Sequence, residues 1–163
     1  MGPYTTLIDA TVDAEAVVER SRVQGSHIGR AANIGPWTYM RPGNELGEET
    51  RAGAFVEMKK AHIGNGTKVP HLSYVGDAQL GDHTNIGGGT ITANYDGVHK
   101  NRTTIGSGCH VGAGNLFVAP VEVGDNVTTG AGSVVRHAVP SDTMVYSENT
   151  QHNVEGWKPA WER

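Results

Sequence analysis

Ile28-Gly29, Ile34-Gly35, Met40, Leu46-Gly47, Ala52-Gly53 and Met58 recur every six residues, a period that neither an α-helix nor an ordinary strand has. The phase then slips by one residue and resumes through Ile63-Gly64, Val69, Val75-Gly76, Leu80-Gly81 and Ile86-Gly87. After a break it continues through Ile105-Gly106, Val111-Gly112, Phe117, Val123-Gly124, Thr129-Gly130 and Val135. A six-residue period fits a short strand and a bend, with one inward aliphatic per side and a small residue at the corner. Three sides close one coil, and coils stacked about 4.8 Å apart bury their aliphatics in a narrow column. The expected fold is an all-β parallel β-helix, in which every inward aliphatic is packing and none is catalytic.

The 23 glycines are about twice the ~7% of ordinary proteins, without low-complexity runs, and so read as turns. A net charge of −4 argues against a nucleic-acid partner, for which a basic face would be expected. One cysteine, Cys109, allows no intrachain disulfide, and no apolar run is long enough for a signal peptide or a membrane span. A cytoplasmic protein is the default expectation.

The irregular stretches come next. AEAVVERSR, residues 14–22, reads as irregular coil, although Val12, Val18 and Val23 nearly keep the hexad phase. The chain begins in repeat-like sequence, which suggests that Met1 starts a fragment. An inserted loop is expected at about 92–104, around the Asp96-Gly97 turn. The β-helix is expected over 1–139, and 140–163, with Pro140 and Pro159, as an irregular C-terminal tail on a neighbouring subunit. A column this thin has little interior for a ligand, so binding must use its outside, the loop or a groove between copies.

The stretch 67–100 carries residues that the repeat does not require: His71, Tyr74, Asn85, Asn94, Tyr95 and Lys100. Together with RPG at 41–43, FVEMKKA at 55–61, HLSYVGDAQLGDHTNIGGGTITANYDG at 71–97 and FVAPVEVG at 117–124, they give a resemblance over nearly the whole chain. The chain resembles the acetyltransferase domain of the bacterial N-acetylglucosamine-1-phosphate uridyltransferase / glucosamine-1-phosphate N-acetyltransferase family, in its actinobacterial form. That resemblance implies a left-handed β-helix, a homotrimer with sites between subunits, and acetyl transfer from acetyl-CoA to the amine of glucosamine 1-phosphate. It also implies an upstream uridylyltransferase domain using Mg²⁺, absent from this sequence, and no metal in the part present.

Residue by residue, the resemblance makes His71 the general base, a role suited to an imidazole with a pKa near ~6.5. Without it, a histidine after Val-Pro could equally cap a strand. Arg41 and Lys59 match the phosphate and sugar contacts, Tyr74 and Asn85 the sugar contacts, and Lys100 a contact from a neighbouring chain. Gly88 matches an oxyanion-binding amide, Asn94 and Tyr95 acetyl-CoA contacts, and Ala113 and Ala131 two further cofactor positions. Two departures stand out. Ala113 replaces a frequent serine, and Glu148 lies near where some members place an arginine for the CoA phosphates, so that either Trp157 and Lys158 take that role or CoA is held less tightly.

Two other readings remain open at this point. A non-catalytic trimeric scaffold would keep the fold and release no thiol. A zinc enzyme like the gamma-type carbonic anhydrases would need a His-x4-His pair, but His62, His71, His83, His99 and His110 are separated by 9, 12, 16 and 11 residues.

Overall fold

The computed structural model describes residues 1–162. Among the described residues 23 short strands form three parallel sheets of eight, seven and eight strands, and within each sheet neighbours are three strands apart in the chain, except that the last strand pairs with the one two before it. The chain therefore winds as a three-sided solenoid of about eight turns. The first face carries Tyr39–Met40, Glu57–Lys59, Tyr74–Gly76 and Ile91–Ala93; the second, His27–Ile28, His62–Ile63 and Thr103–Ile105; the third, Lys68–His71, Asn85–Ile86 and His110–Val111. The only helical segment among the described residues is a 3-10 turn at Ala160–Glu162, and no helix is long and apolar enough to cross a membrane.

The hexads account for the interior. Ile28, Ile34, Met40, Leu46, Met58, Val69, Ile86, Ile105 and Phe117 are all at most 2% exposed and line a single column. Burying each such side chain is worth about 1.5–3 kcal/mol, which is what holds strands of two to four residues in place.

The stretch 14–22 departs from the expected irregular coil. Val17–Val18 is a strand of the third face, paired with Asn33–Ile34, and Val18 is buried. The aliphatic phase outweighs the helical look of the surrounding Ala and Glu. At this end each of two side chains, His27 and Arg30, links three coils. His27 contacts Asp13 at 2.9 Å and Glu45 at 3.3 Å, and Arg30 contacts Glu48 at 2.8 Å and Glu15 at 3.5 Å. The Glu48 hydrogen bond, helped by its charge and that of Glu15, holds the Arg30 guanidinium above its ordinary pKa.

The excursion leaves the first face after Ala93 and rejoins the second at Thr103. At the other end the ladder runs past residue 139, since Met144–Val145 pairs with Thr128–Thr129.

The corner between the second and third faces is closed by side chains. The N–H of Glu48 donates to Asn65 Oδ1 at 2.8 Å, Asn65 N–H to Asp82 Oδ1 at 2.7 Å and Asp82 N–H to Ser107 Oγ at 3.0 Å. Ser107 N–H then donates to Asp125 Oδ1 at 2.7 Å and Asp125 N–H to Ser141 Oγ at 3.0 Å. Short polar side chains thus cap backbone donors that the parallel ladder leaves over at a bend.

Candidate active site

The corner between the third and first faces has the same backbone course but different chemistry. Ala54, His71, Gly88, Ala113 and Ala131 follow one another there, one per coil. The sequence is tied by Leu72 N–H to Ala54 O at 2.9 Å, Gly89 N–H to His71 O at 3.4 Å, Gly114 N–H to Gly88 O and Gly132 N–H to Ala113 O, both at 2.8 Å. Among the described residues, no acceptor meets the N–H of Gly88, Ala113 or Ala131. None of these three residues has a side chain longer than a methyl group, while on the next coil Tyr146 lies against Gly130 and Asn149 Nδ2 donates to Gly132 O at 3.1 Å.

The corner changes character at His71. On the coils before it, the residue one place further along is Trp37, Phe55 and then Leu72, all more than half exposed and all at positive φ, 48° to 58°. Trp37 and Phe55 stack with ring centroids 5.5 Å apart. On the coils after it, the same place holds Gly89, Gly114 and Gly132, with φ of 69° to 76°. A left-handed conformation costs a side-chain-bearing residue about 1–2 kcal/mol, so glycine is the unstrained choice and the three bulky residues are the exception.

His71 ends the strand Lys68–His71, which Gly53 allows to run close by: a Cβ on Gly53 would stand 2.0 Å from Pro70 O. The His71 carbonyl accepts Ser73 Oγ at 2.6 Å, which fixes the turn, while its exposed ring has no hydrogen-bond partner among the described residues. A Cβ on Gly88 would stand 3.4 Å from His71 Cβ. His71 and Gly88 are thus stacked on adjacent coils, the one with a ring and the other with an N–H that meets no partner among the described residues.

The sugar-contact candidates separate into two groups. Arg41, Lys59 and Gly76 follow one another on the first face, with Tyr74 beside Glu57. The Tyr74 ring lies across Gly76, where a Cβ would come within 2.4 Å of its Oη. Asn85 stands exposed on the third face, between Lys68 and His110. One column thus does not bring Asn85 together with Arg41, Lys59 and Tyr74; the Leu72–Ser73 corner stands between them.

Asn94, Tyr95 and Lys100 lie at the opposite edge of the first face, where the excursion begins and ends. Lys100 Nζ sits 4.0 Å from the centroid of the Tyr95 ring, and Tyr95 Oη donates to Gly97 O at 2.6 Å. The loop is organised by Asp96, which accepts His99 N–H at 2.6 Å, Val98 N–H at 2.8 Å and Asn101 Nδ2 at 3.0 Å. Those bonds, His99's first, hold its carboxyl below the ordinary pKa. Glu148 and Trp157 are exposed on the segment beyond the last strand.

Sequence reasoning missed two acids. Glu57 Oε1 lies 3.2 Å from Arg41 Nη1, so the guanidinium is already oriented across the first face. Asp77 Oδ2 accepts a hydrogen bond from Asn94 Nδ2. Glu57 sits within a quoted motif, and its position two residues before Lys59 was the available signal. No three His, Cys, Asp or Glu side chains among the described residues cluster as a metal shell would.

Residues 102–137 match the family model for the bacterial transferase hexapeptide (six repeats). All 163 residues align at 93% identity with 35% of the bifunctional protein GlmU of Bifidobacterium longum. The chain belongs to the GlmU family. A GlmU protein of a Mycobacterium species is 55% identical over 96% of the chain and 32% of its own length, so the chain spans about a third of these curated relatives.

Among solved structures, the fold matches perosamine N-acetyltransferase of Caulobacter crescentus in complex with CoA and GDP-perosamine. Its TM-score is 0.60, with 22% identity over 69% of this chain and 51% of that one. The acetyltransferase domain of PglB from Neisseria gonorrhoeae, in complex with acetyl coenzyme A, matches at a TM-score of 0.50. That alignment has 20% identity over 86% of this chain and 53% of that one. At these identities the likeness shows the solenoid fold alone.

Proposed function

We propose that this chain transfers the acetyl group of acetyl-CoA to the amine of glucosamine 1-phosphate. The observation that carries the reading is the stacking, on adjacent coils of one corner, of His71, whose ring has no partner among the described residues, on Gly88, whose N–H meets no acceptor there, followed by the small residues Ala113 and Ala131. Membership of the GlmU family and solenoid neighbours that bind CoA support it.

An ammonium cannot attack a carbonyl. His71 takes a proton from the sugar nitrogen, and the freed amine adds to the thioester carbon, forming the C–N bond. The resulting oxyanion accepts the Gly88 N–H, a donor that is preorganised because nothing else occupies it. The C–S bond then breaks, the thiolate takes its proton from the imidazolium, and the nitrogen loses its remaining extra proton to solvent. The products are an N-acetyl sugar and a thiol.

The track above His71 suits the pantetheine arm, an extended chain with amide carbonyls that can accept from Ala113 and Ala131, one coil apart at about 4.8 Å. Ala113 serves here through its backbone, so the missing hydroxyl is not needed. Asn94 and Tyr95 are further cofactor contacts at the excursion. Trp157 and Lys158 would serve the CoA phosphates in place of an arginine near Glu148.

Arg41 and Lys59 would hold the sugar phosphate. With Arg41, Lys59 and Tyr74 on the first face and Asn85 on the third, a sugar held by all four needs the first face of one copy beside the third face of another. A homotrimer repeats that contact three times. It would also cover Trp37, Phe55 and Leu72 on the intervening edge, bring Lys100 from a neighbouring chain, and seat the segment after residue 139 on a neighbour. The site in this reading is metal-free, and the protein works in the cytoplasm.

The test is thiol release from acetyl-CoA with glucosamine 1-phosphate present. Release that depends on the sugar supports the reading, whereas none with any amino sugar would leave a trimeric scaffold instead.

A further inference from the structure

Asn94 is only 6% exposed, and one end of its amide is fixed. Its Nδ2 donates to Asp77 Oδ2, while its Oδ1 accepts nothing from the described residues. That oxygen is not sealed off, since among the described residues the only fully enclosed side-chain polar atom without a partner is Thr103 Oγ1. Asn94 therefore presents a bare acceptor to the outside.

Asp77 sits where the excursion departs and returns. Its N–H donates to Lys59 O at 2.9 Å, its carbonyl accepts Thr103 N–H at 3.3 Å, and its left-handed φ of 48° turns the chain at this corner. Aspartate is among the few residues with a side chain that visit that region readily. The carboxylate borders the cleft lined by Lys60, Lys100 and Arg102, none of which is ion-paired.

We propose that Asp77 is a positioning residue that sets the polarity of the Asn94 amide, so that Asn94 meets a bound substrate as a hydrogen-bond acceptor. An asparagine amide can flip, exchanging donor and acceptor ends with little change in shape. A carboxylate only accepts, so beside Asp77 the Nδ2 end must face inward and the Oδ1 end outward. The ligand group this selects is a hydrogen-bond donor, N–H or O–H. Acetyl-CoA offers such donors along its pantetheine arm, and the amino sugar in its nitrogen and hydroxyls. The proposal rests on the acetyl-transfer reading for the identity of these ligands, and on the hydrogen bond alone for the polarity.

The experiment uses the whole chain with Asp77→Ala, Asn94→Ala, the double variant and Asp77→Asn. Asp77→Ala should raise one KM by about tenfold, the size of a lost charge-assisted hydrogen bond, with kcat and Tm little changed. A rise for acetyl-CoA places the donor on the cofactor, and a rise for glucosamine 1-phosphate places it on the sugar. Asn94→Ala should match it, and the double variant should be no worse than Asn94→Ala. Asp77→Asn should fall between, because its amide can accept as aspartate does or donate to a flipped Asn94.

In NMR, one Asn94 side-chain N–H should exchange slowly in the parent and rapidly in Asp77→Ala. Additive losses, a rise in both KM values with a lower Tm, or an unprotected Asn94 amide in the parent would overturn the proposal. A parent chain that releases no thiol but keeps the protected Asn94 N–H would instead defeat the acetyl-transfer reading and leave the polarity argument standing.

Discussion

Two corners of the solenoid have the same backbone course and opposite chemistry. Between the second and third faces, Asn65, Asp82, Ser107, Asp125 and Ser141 each cap an N–H of the coil before. Between the third and first, Gly88, Ala113 and Ala131 leave the equivalent N–H groups bare. Capping satisfies a donor with the protein's own atoms and makes the corner inert. Leaving it bare keeps the donor for water or a ligand, and stability at that edge must come from the buried column instead. In the proposed reading, a regular scaffold acquires a site by omitting side chains as well as by adding a histidine.

The strongest test of the contrast removes the added residue. His71→Ala should leave the fold intact and lower kcat by roughly 10²–10⁴, the usual cost of losing a general base. Higher pH should partly restore it, because more of the amine is then already deprotonated; thiol-release rates from neutral to alkaline pH check this. A defect that ignores pH would make His71 structural.

Next in size is conversion of the open corner into a closed one. Ala113→Asp places a carboxylate where Asp82 stands on the other corner, one coil above Gly88, whose N–H it would cap as Asp82 caps Asn65. The kcat should fall by roughly 10²-fold as the oxyanion loses its donor, and the KM for acetyl-CoA should rise, while Tm holds or increases slightly. Unchanged kinetics would show that the Gly88 amide has no part in the reaction.

On the first face, Arg41→Ala or Lys59→Ala should weaken glucosamine 1-phosphate by about tenfold and acetyl-CoA much less, as isothermal titration with each would show. Equal losses for both ligands would remove the phosphate assignment.

The smallest effect belongs to the closed corner. Asp125→Ala uncaps Ser107 N–H and should cost about 1 kcal/mol, as loss of a side-chain cap does, read as a Tm drop of a few degrees with activity unchanged.

The inward column was legible because burial acts on every sixth residue alike. The phase even ran through Val17–Val18, where local composition pointed elsewhere. His71, Gly88, Ala113 and Ala131 were individually named from motif resemblance. Their alignment in a single corner was not visible, because the excursion after Ala93 breaks the spacing between the second and third of them. Asp77 and Glu57 were missed for a physical reason: an acid in a charged surface sequence shows its role only through the partner it meets. Asp77 meets Asn94 across a full coil, and Glu57 meets Arg41 from the neighbouring strand. The separation of Asn85 from Arg41 and Lys59 was equally hidden, since sequence order does not say which face a hexad occupies.

The central claim is that ligand binds the bare corner and ignores the capped one. Backbone amide resonances followed during titration with CoA test it directly. The Gly88, Ala113 and Ala131 N–H signals should shift together with a common saturation, while those of Asn65, Asp82, Ser107 and Asp125 stay fixed. Shifts concentrated at the capped corner, or none at Gly88, Ala113 and Ala131 under saturating CoA, would contradict the account.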